Sequence, residues 1–360
     1  MSVSSDVTKE GAAPAGIAAD AVTKWMEANI DGVVGPLSFE LIAGGRSNLT
    51  FKVTDANGRR MVLRRPPISH VLASAHDMGR EHRIISSLHD TPVPVPIALG
   101  FCEDESVNER PFYVMDFVEG HILRDSRQTE KLMGEDTRRA MGNDLVDVLA
   151  AIHAVDLDAV GLGDLGRRES YIGRQLKRWY GQFQQSQAQE EEGGFGRPAP
   201  IVDEVHEALM ARIPPQREGT LVHGDYRLDN TMVGEEGKVR AVLDWELCTL
   251  GDPLADVGTL HVYWSDRNET AGLPVVPTTA LPGFPTRDEL SARYAATSGR
   301  EISDLPYYTA FAYWRLACII EGVYARYAAG AMGGDTSQAA GFAQAVIHQA
   351  EQARKALGQL

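Results

Sequence analysis

The chain has 360 residues, enough for two lobes or two modest domains, and its apolar fraction of 43% is that of a globular protein. A net charge of −15 argues against nucleic-acid binding or a membrane-surface role, though not against a local site for an anion. Three cysteines, Cys102, Cys248 and Cys318, lack metal-ligand or redox spacing and are odd in number; with no signal-peptide pattern and no apolar run of membrane length, the expectation is a reducing, cytoplasmic protein.

Residues 1–20 read as a disordered tail that runs into a short helical pattern, "IAADAVTKWMEANI". The stretch 37–65 is strand-rich, and Asn57-Gly58 is a hairpin turn signal because both residues tolerate positive φ. "SAHDMGREHRIISSLHD" predicts a helix with an apolar face of Met78, Ile84, Ile85 and Leu88. "TPVPVPIALGF" predicts an extended connector, since its prolines forbid helix, and "RPFYVMDFVEG" predicts a strand. Beyond residue 130 the pattern turns helical, with segments at 137–155 and near 168–187, 201–212, 253–264, 286–298, 304–329 and 336–357. A short β insert at about 220–244 interrupts them, and the Gly- and Pro-rich stretches 184–200 and 271–285 read as loops. The organisation is a small β-rich lobe at 21–117 and a larger, mostly helical lobe at 118–360. A cleft between two such lobes is a natural ligand site.

The β insert carries the chemistry. "LVHGDYRLDN" places Asp225 after two apolar residues and Asn230 five positions later; "AVLDWE" then ends an apolar run at Asp244. Each residue alone is more often a turn former. Together they suit phosphoryl transfer, in which the protein mostly positions groups and balances charge. Asp225 would orient an acceptor hydroxyl and take its proton. The Asn230 oxygen and the Asp244 carboxylate would supply oxygen ligands to magnesium, a hard cation. A P-loop enzyme is a poor third option, since its motif is lacking, and a metal hydrolase using the same acids is a poor one too, since clustered histidines are lacking.

"HGDYRLDN", "LDWE" and "GDPLADVG" resemble the aminoglycoside phosphotransferase-like kinases, relatives of the protein kinase fold. More narrowly, they are similar to the kinase domains associated with acyl-CoA dehydrogenases. The resemblance covers the chain from about residue 25 and implies an α+β, bilobal, protein-kinase-like fold. It implies use of ATP and magnesium to phosphorylate a hydroxyl of a small molecule, a hydroxyacyl-CoA by the narrower likeness. The alternatives are an aminoglycoside or other small-molecule acceptor, or a non-catalytic nucleotide-binding pseudokinase.

The resemblance also assigns the small lobe. "IAGGRSNLTFKV" would cover the ATP phosphates, with Gly44, Gly45, Ser47 and Asn48 at the loop. "MVLR" stands where protein kinases carry V-A-I-K, so Arg64 replaces the lysine. Arg65 competes for that role, but strand alternation puts Val62 and Arg64 on one face. Glu81, on the following helix, would pair with Arg64. In "VMDFVEG" the Asp116 carbonyl and Val118 amide would read adenine, with Met115 and Phe117 shaping the pocket.

Other residues read as structural. Asp252 precedes Pro253 at a helix start, and Asp256, one turn on, is placed to brace the catalytic loop. His223 packs and hydrogen-bonds within its loop, and His153 is a satisfied interior histidine. "RRESYIGRQLKRW", 167–179, opposes five basic residues to one acid, and Arg174, Lys177 and Arg178 form a positive stripe. That stripe is either a solvated helix face or a site for an anionic acceptor such as an acyl-CoA.

Overall fold

In the computed structural model, residues 14–43, 48–68, 77–188, 198–269, 276–328 and 339–358 are described. The chain divides into two compact units: Met1–Glu119 with Arg240–Glu246, and Gly120–Val239 with Leu247–Leu360.

The first unit contains helix α1 (Ala19–Asn29), strands β1 (Ser38–Ala43), β2 (Leu49–Thr54) and β3 (Arg60–Arg65), helix α2 (Met78–Leu88), strand β4 (Ala98–Cys102), the short helix α3 (Glu105–Asn108) and strand β5 (Phe112–Asp116). The five strands form one antiparallel sheet in the order β1-β2-β3-β5-β4. Period-2 patterning builds it. In β2, Leu49, Phe51 and Val53 are buried while Thr50, Lys52 and Thr54 are only partly so. The buried set packs with Met61, Leu63, Phe112 and Val114 of the sheet and with Val22 and Met26 of α1. The Asn57-Gly58 turn joins β2 to β3: Asp55 Oδ1 accepts from the amides of Asn57 and Arg59, and Gly58 has φ +81°.

Helix α2 is capped by Asp77, whose carboxylate accepts from Arg80 N at 2.9 Å. Its buried stripe contains Glu81 as well as Met78, Ile84, Ile85 and Leu88, so an acid is forced into the interior. One expectation is corrected here. The proline-rich connector ends at Pro96, and from Ala98 the chain, free of proline, pairs with β5 as a strand.

The second unit is mostly helical. It contains α4 (Ser126–Leu132), α5 (Glu135–His153), α6 (Tyr171–Ala188), α7 (Pro200–Met210), and the strands β6 (Thr220–Val222) and β7 (Thr231–Val233). The chain then passes through β8 (Val239–Val242) and returns with β9 (Thr249–Gly251), α8 (Leu254–Tyr263), α9 (Arg287–Ser298), α10 (Leu305–Ala328) and α11 (Ala339–Leu357). Antiparallel β6 and β9 pair with Leu221 opposite Leu250, both fully buried. Helix α10 is the centre of the unit and packs on α11, α8, α6 and α7, while α5 packs on α9. Helix α4 is not anticipated by the sequence pattern: "SRQTEKL" has no apolar stripe, and its start is set by Asp125 accepting from Gln128 N. The expected loop 184–200 begins inside α6, and its residues 189–197 lie outside the described residues. Of the expected loop 271–285, residues 271–275 lie outside them, and 276–285 is irregular chain with one short 3-10 turn, Thr278–Ala280.

Helices α8 and α10 approach closely at Gly258, where an added Cβ would lie 2.5 Å from the Tyr308 carbonyl oxygen. Glycine to alanine usually stabilises a helix interior by about 0.5–1 kcal/mol. Gly258→Ala will do the reverse and cost about 1–3 kcal/mol through overpacking. Gly322→Ala, where the nearest atoms are 3.7 Å away, will show the ordinary gain. Chemical denaturation of the two variants checks the opposite signs.

Candidate active site

In the first unit the buried Glu81 organises a cluster of polar groups. Arg64 Nε lies 3.0 Å from Glu81 Oε2, Tyr113 Oη donates to the same oxygen at 3.0 Å, and Asn48 Nδ2 donates to Oε1 at 2.9 Å. The sheet register explains the convergence, since Arg64 stands opposite both Thr50 of β2 and Tyr113 of β5. Arg65 points the other way and donates to the carbonyls of Gly16 and Pro66. Arg64 also reaches a second acid: its Nη2 donates to Asp244 Oδ1 at 2.5 Å. One guanidinium thus serves two carboxylates through two nitrogens, which a single ammonium could not do with the same fixed geometry. Burial lowers the Arg64 pKa, but Glu81, Tyr113 and Asp244 outweigh it and the group stays charged with its pKa raised. Burial also pushes the Glu81 carboxyl up, against the pull of Arg64.

Asp244 belongs to this unit, although its place in the chain puts it within the helical lobe. The segment around it is tied here by Val242 N donating to Pro94 O, by Arg240 Nη1 donating to Glu119 O, and by Arg64. Asp244 takes φ +65°, a left-handed conformation uncommon for a residue with a side chain and one that clusters at functional sites. Its Oδ2 has no protein partner among the described residues, as a hard-cation ligand requires.

Asn48 keeps its amide oxygen buried and without a protein partner among the described residues. Gly44, Gly45 and Ser47 lie outside the described residues. At the end of β5, Met115 is buried and Asp116 N donates to Ile97 O. Asp116 Oδ1 meets Arg59 at 3.3 Å, and Phe117 lies under the Arg60 guanidinium at 5.0 Å. The Val118 amide has no partner among the described residues.

In the second unit the loop 223–225 leaves the buried strand β6. Gly224 has φ +84°, and a Cβ there would lie 2.7 Å from the Leu247 carbonyl oxygen, so only glycine fits. The fully buried Asp256 in the first turn of α8 holds the loop backbone. Its Oδ2 accepts from His223 N at 2.7 Å and its Oδ1 from Gly224 N at 2.8 Å. His153 Nε2 lies 3.4 Å from Oδ2, and His153 Nδ1 lies 2.7 Å from Tyr294 Oη. His223 is buried, and its Nδ1 accepts from Asp225 N at 3.3 Å. Asp252 Oδ1 accepts from Leu254 N and Oδ2 from Tyr308 Oη at 2.6 Å.

Asn230 Nδ2 donates to both the carbonyl and Oδ2 of Asp225, each at 2.8 Å. Its nitrogen is thereby committed, and its oxygen has no protein partner among the described residues. Arg227, which sequence reasoning left out, places Nε 3.3 Å from Asp225 Oδ2 and Nη1 2.5 Å from Asp229 Oδ2, with its guanidinium 4.7 Å from the Tyr263 ring centre. Arg315 was left out too; its Nη2 donates to Gly224 O at 2.6 Å. The available signal was a lone charge in the apolar run "FAYWRLACII".

Burial raises the Asp256 carboxyl, but His153, His223 and the loop amides more than offset it and hold the group below the usual carboxylate range. A depressed folded-state pKa contributes stability that is present above the unfolded value of about 3.9 and is lost as pH falls through the folded one. Asp256→Asn removes a charge-assisted bond worth about 1.5–3 kcal/mol. At pH 7 it will destabilise the protein by at least that much. Below about pH 4 the gap to wild type will narrow as the native aspartate protonates. Denaturation at both pH values measures the difference.

The chain matches the sequence profile of the phosphotransferase enzyme family over residues 38–291. It is 37% identical over 314 residues to acyl-CoA dehydrogenase family member 10 of Mus musculus, covering 85% of this chain and 28% of that protein. The chain spans only 28–39% of the length of its first three such relatives. A Ralstonia eutropha crystal structure, provisionally described as an aminoglycoside phosphotransferase, aligns with a TM-score of 0.78 and 34% identity over 94% of this chain and 98% of that one. The GDP complex of an aminoglycoside 2'-phosphotransferase aligns with a TM-score of 0.60 over 93% and 99%, a likeness of fold at 14% identity. The protein-kinase-like fold of these structures, a sheet-bearing N-terminal unit and a mostly helical C-terminal one, is the fold of this chain. The sequence match, the relatives and the two polar clusters agree: this chain belongs to the phosphotransferase enzyme family.

Proposed function

We propose that the protein transfers the γ-phosphoryl group of ATP to a hydroxyl of a small molecule, with Asp225 as the general base. The observation that carries the proposal is the fixing of Asp225 by Asn230. Asn230 Nδ2 holds Asp225 Oδ2, which leaves Asp225 Oδ1 without a protein partner among the described residues. That oxygen is available to orient a hydroxyl and to accept its proton. The hydroxyl oxygen then attacks the γ-phosphorus, and the bond to the bridging oxygen breaks with its electron pair leaving on ADP.

The first unit takes the nucleotide side of the reaction. Arg64 contacts phosphate and is held in place by Glu81, and Asn48 borders the phosphates. Asp116, Val118 and Met115 receive the adenine, and the uncommitted Val118 amide supports that assignment. Asp244 and Asn230 each offer an uncommitted oxygen of the kind magnesium requires. Magnesium, when bound, supplies charge neutralisation on the phosphate chain. The three cysteines are buried and form no disulfide among the described residues, which supports work in a reducing, cytoplasmic compartment.

The acceptor is a hydroxyacyl-CoA on this reading. Its support is the name of the relatives, of which the chain spans about a third, and the stripe on α6. Within that stripe Lys177 and Arg178 are exposed, while Arg174 is engaged by the Arg167 carbonyl. Magnesium-dependent ADP release will occur with hydroxyacyl-CoA thioesters and not with aminoglycosides. Asp225→Ala will lower it by about 10²–10⁴-fold and leave nucleotide affinity unchanged. Undiminished turnover in Asp225→Ala would remove the proposed base. Release with aminoglycosides alone would replace the acceptor class, and nucleotide binding without release to either panel would favour a binding module.

A further inference from the structure

We propose that Arg315 is a positioning residue for Asp225, acting on the peptide that joins Gly224 to Asp225. The inference rests on the reading of Asp225 as the base. Gly224 has the backbone freedom of glycine at φ +84°, so the two peptides that flank it are not held by a side chain of their own. The peptide before Gly224 is fixed by its N–H, which donates to Asp256. The peptide after it carries the Asp225 nitrogen. That N–H makes only a long contact of 3.3 Å to His223 Nδ1. Its carbonyl is held by Arg315 Nη2 at 2.6 Å, a short charge-assisted bond.

The surroundings of Arg315 support a specific task. It is 5% exposed, on a stretch of α10 where Phe311, Ala312, Trp314, Ala317 and Cys318 are buried. The guanidinium carbon lies 5.8 Å from the Trp179 ring centre on α6. A buried arginine stabilises no more than an apolar residue of similar volume, and often less. Packing alone therefore does not call for a charge here, whereas the Gly224 carbonyl does. Asp256 and Arg315 grip the same residue by opposite ends with opposite charge, and Asp225 is the next residue along.

Arg315→Met keeps the volume and removes the donor; Arg315→Lys keeps a charge and restores part of the contact. Hydrogen exchange of the segment 221–230 reads positioning directly, and acceptor-dependent phosphoryl transfer reads its consequence. In Arg315→Met, exchange will quicken in that segment and not elsewhere in the second unit. The kcat will fall roughly ten- to hundredfold, as misplacement of a reacting group does. The KM for nucleotide will stay the same, and Arg315→Lys will recover part of the kcat. Unchanged exchange and kcat in Arg315→Met would overturn the proposal. So would faster exchange throughout the unit with Arg315→Lys no better than Arg315→Met, which marks a packing role. A wild-type protein that transfers no phosphoryl group would overturn the reading of Asp225, and the exchange measurement would still decide whether Arg315 fixes the loop.

Discussion

A single buried carboxylate sets the geometry on which the chemistry proposed for the second unit depends. Asp256 has no exposure to speak of and accepts two backbone amides of the loop 223–225. An ionised group at that depth is costly unless its oxygens are satisfied. Here they are, by backbone amides and by a histidine that a tyrosine in turn anchors. The cost of burying the charge and the rigidity of the loop have the same origin. A loop held only by weaker neutral contacts would leave Asp225 free to move by the fraction of an ångström that matters to the proton transfer proposed for it.

The first unit solves a related problem with a cation. Glu81 is carried into the interior by the apolar stripe of α2, so it needs a partner there. Arg64 supplies it and spends a second nitrogen on Asp244. One positive charge facing two acids leaves a net negative charge, which is the condition that attracts a divalent cation. The arginine in place of the usual lysine fits this double duty, because its donors are spread over a rigid plane.

Much of this was legible in the sequence, for definable reasons. Strand alternation put Arg64 and Val62 on one face, and helical periodicity placed Glu81 on the next element; their pairing came from the family resemblance, and the ion pair is present. The spacing of Asp225 and Asn230 made their hydrogen bond a local matter, since they lie only five positions apart. The brace from Asp256 was readable because a Pro-initiated helix follows Asp252 at once. Long-range partners were not legible. Arg315 is 91 residues from the carbonyl it holds, and Tyr113 meets Glu81 only because β5 pairs with β3. The place of Asp244 with the first unit was hidden for the same reason, since chain order says nothing of which strand a returning segment joins. Helix α4 escaped notice because a short polar helix held by its cap has no periodic apolar signal.

The measurement that bears most directly on the central claim locates the phosphorus. Phosphorus-31 NMR of ATP, magnesium and a hydroxyacyl-CoA with the protein follows the γ-phosphoryl group through the reaction. Its resonance will be replaced by that of a phosphomonoester coupled to the proton on the carbinol carbon, with ADP formed in equal amount. ADP accompanied only by inorganic phosphate, with no ester across hydroxylated acceptors, would contradict the claim.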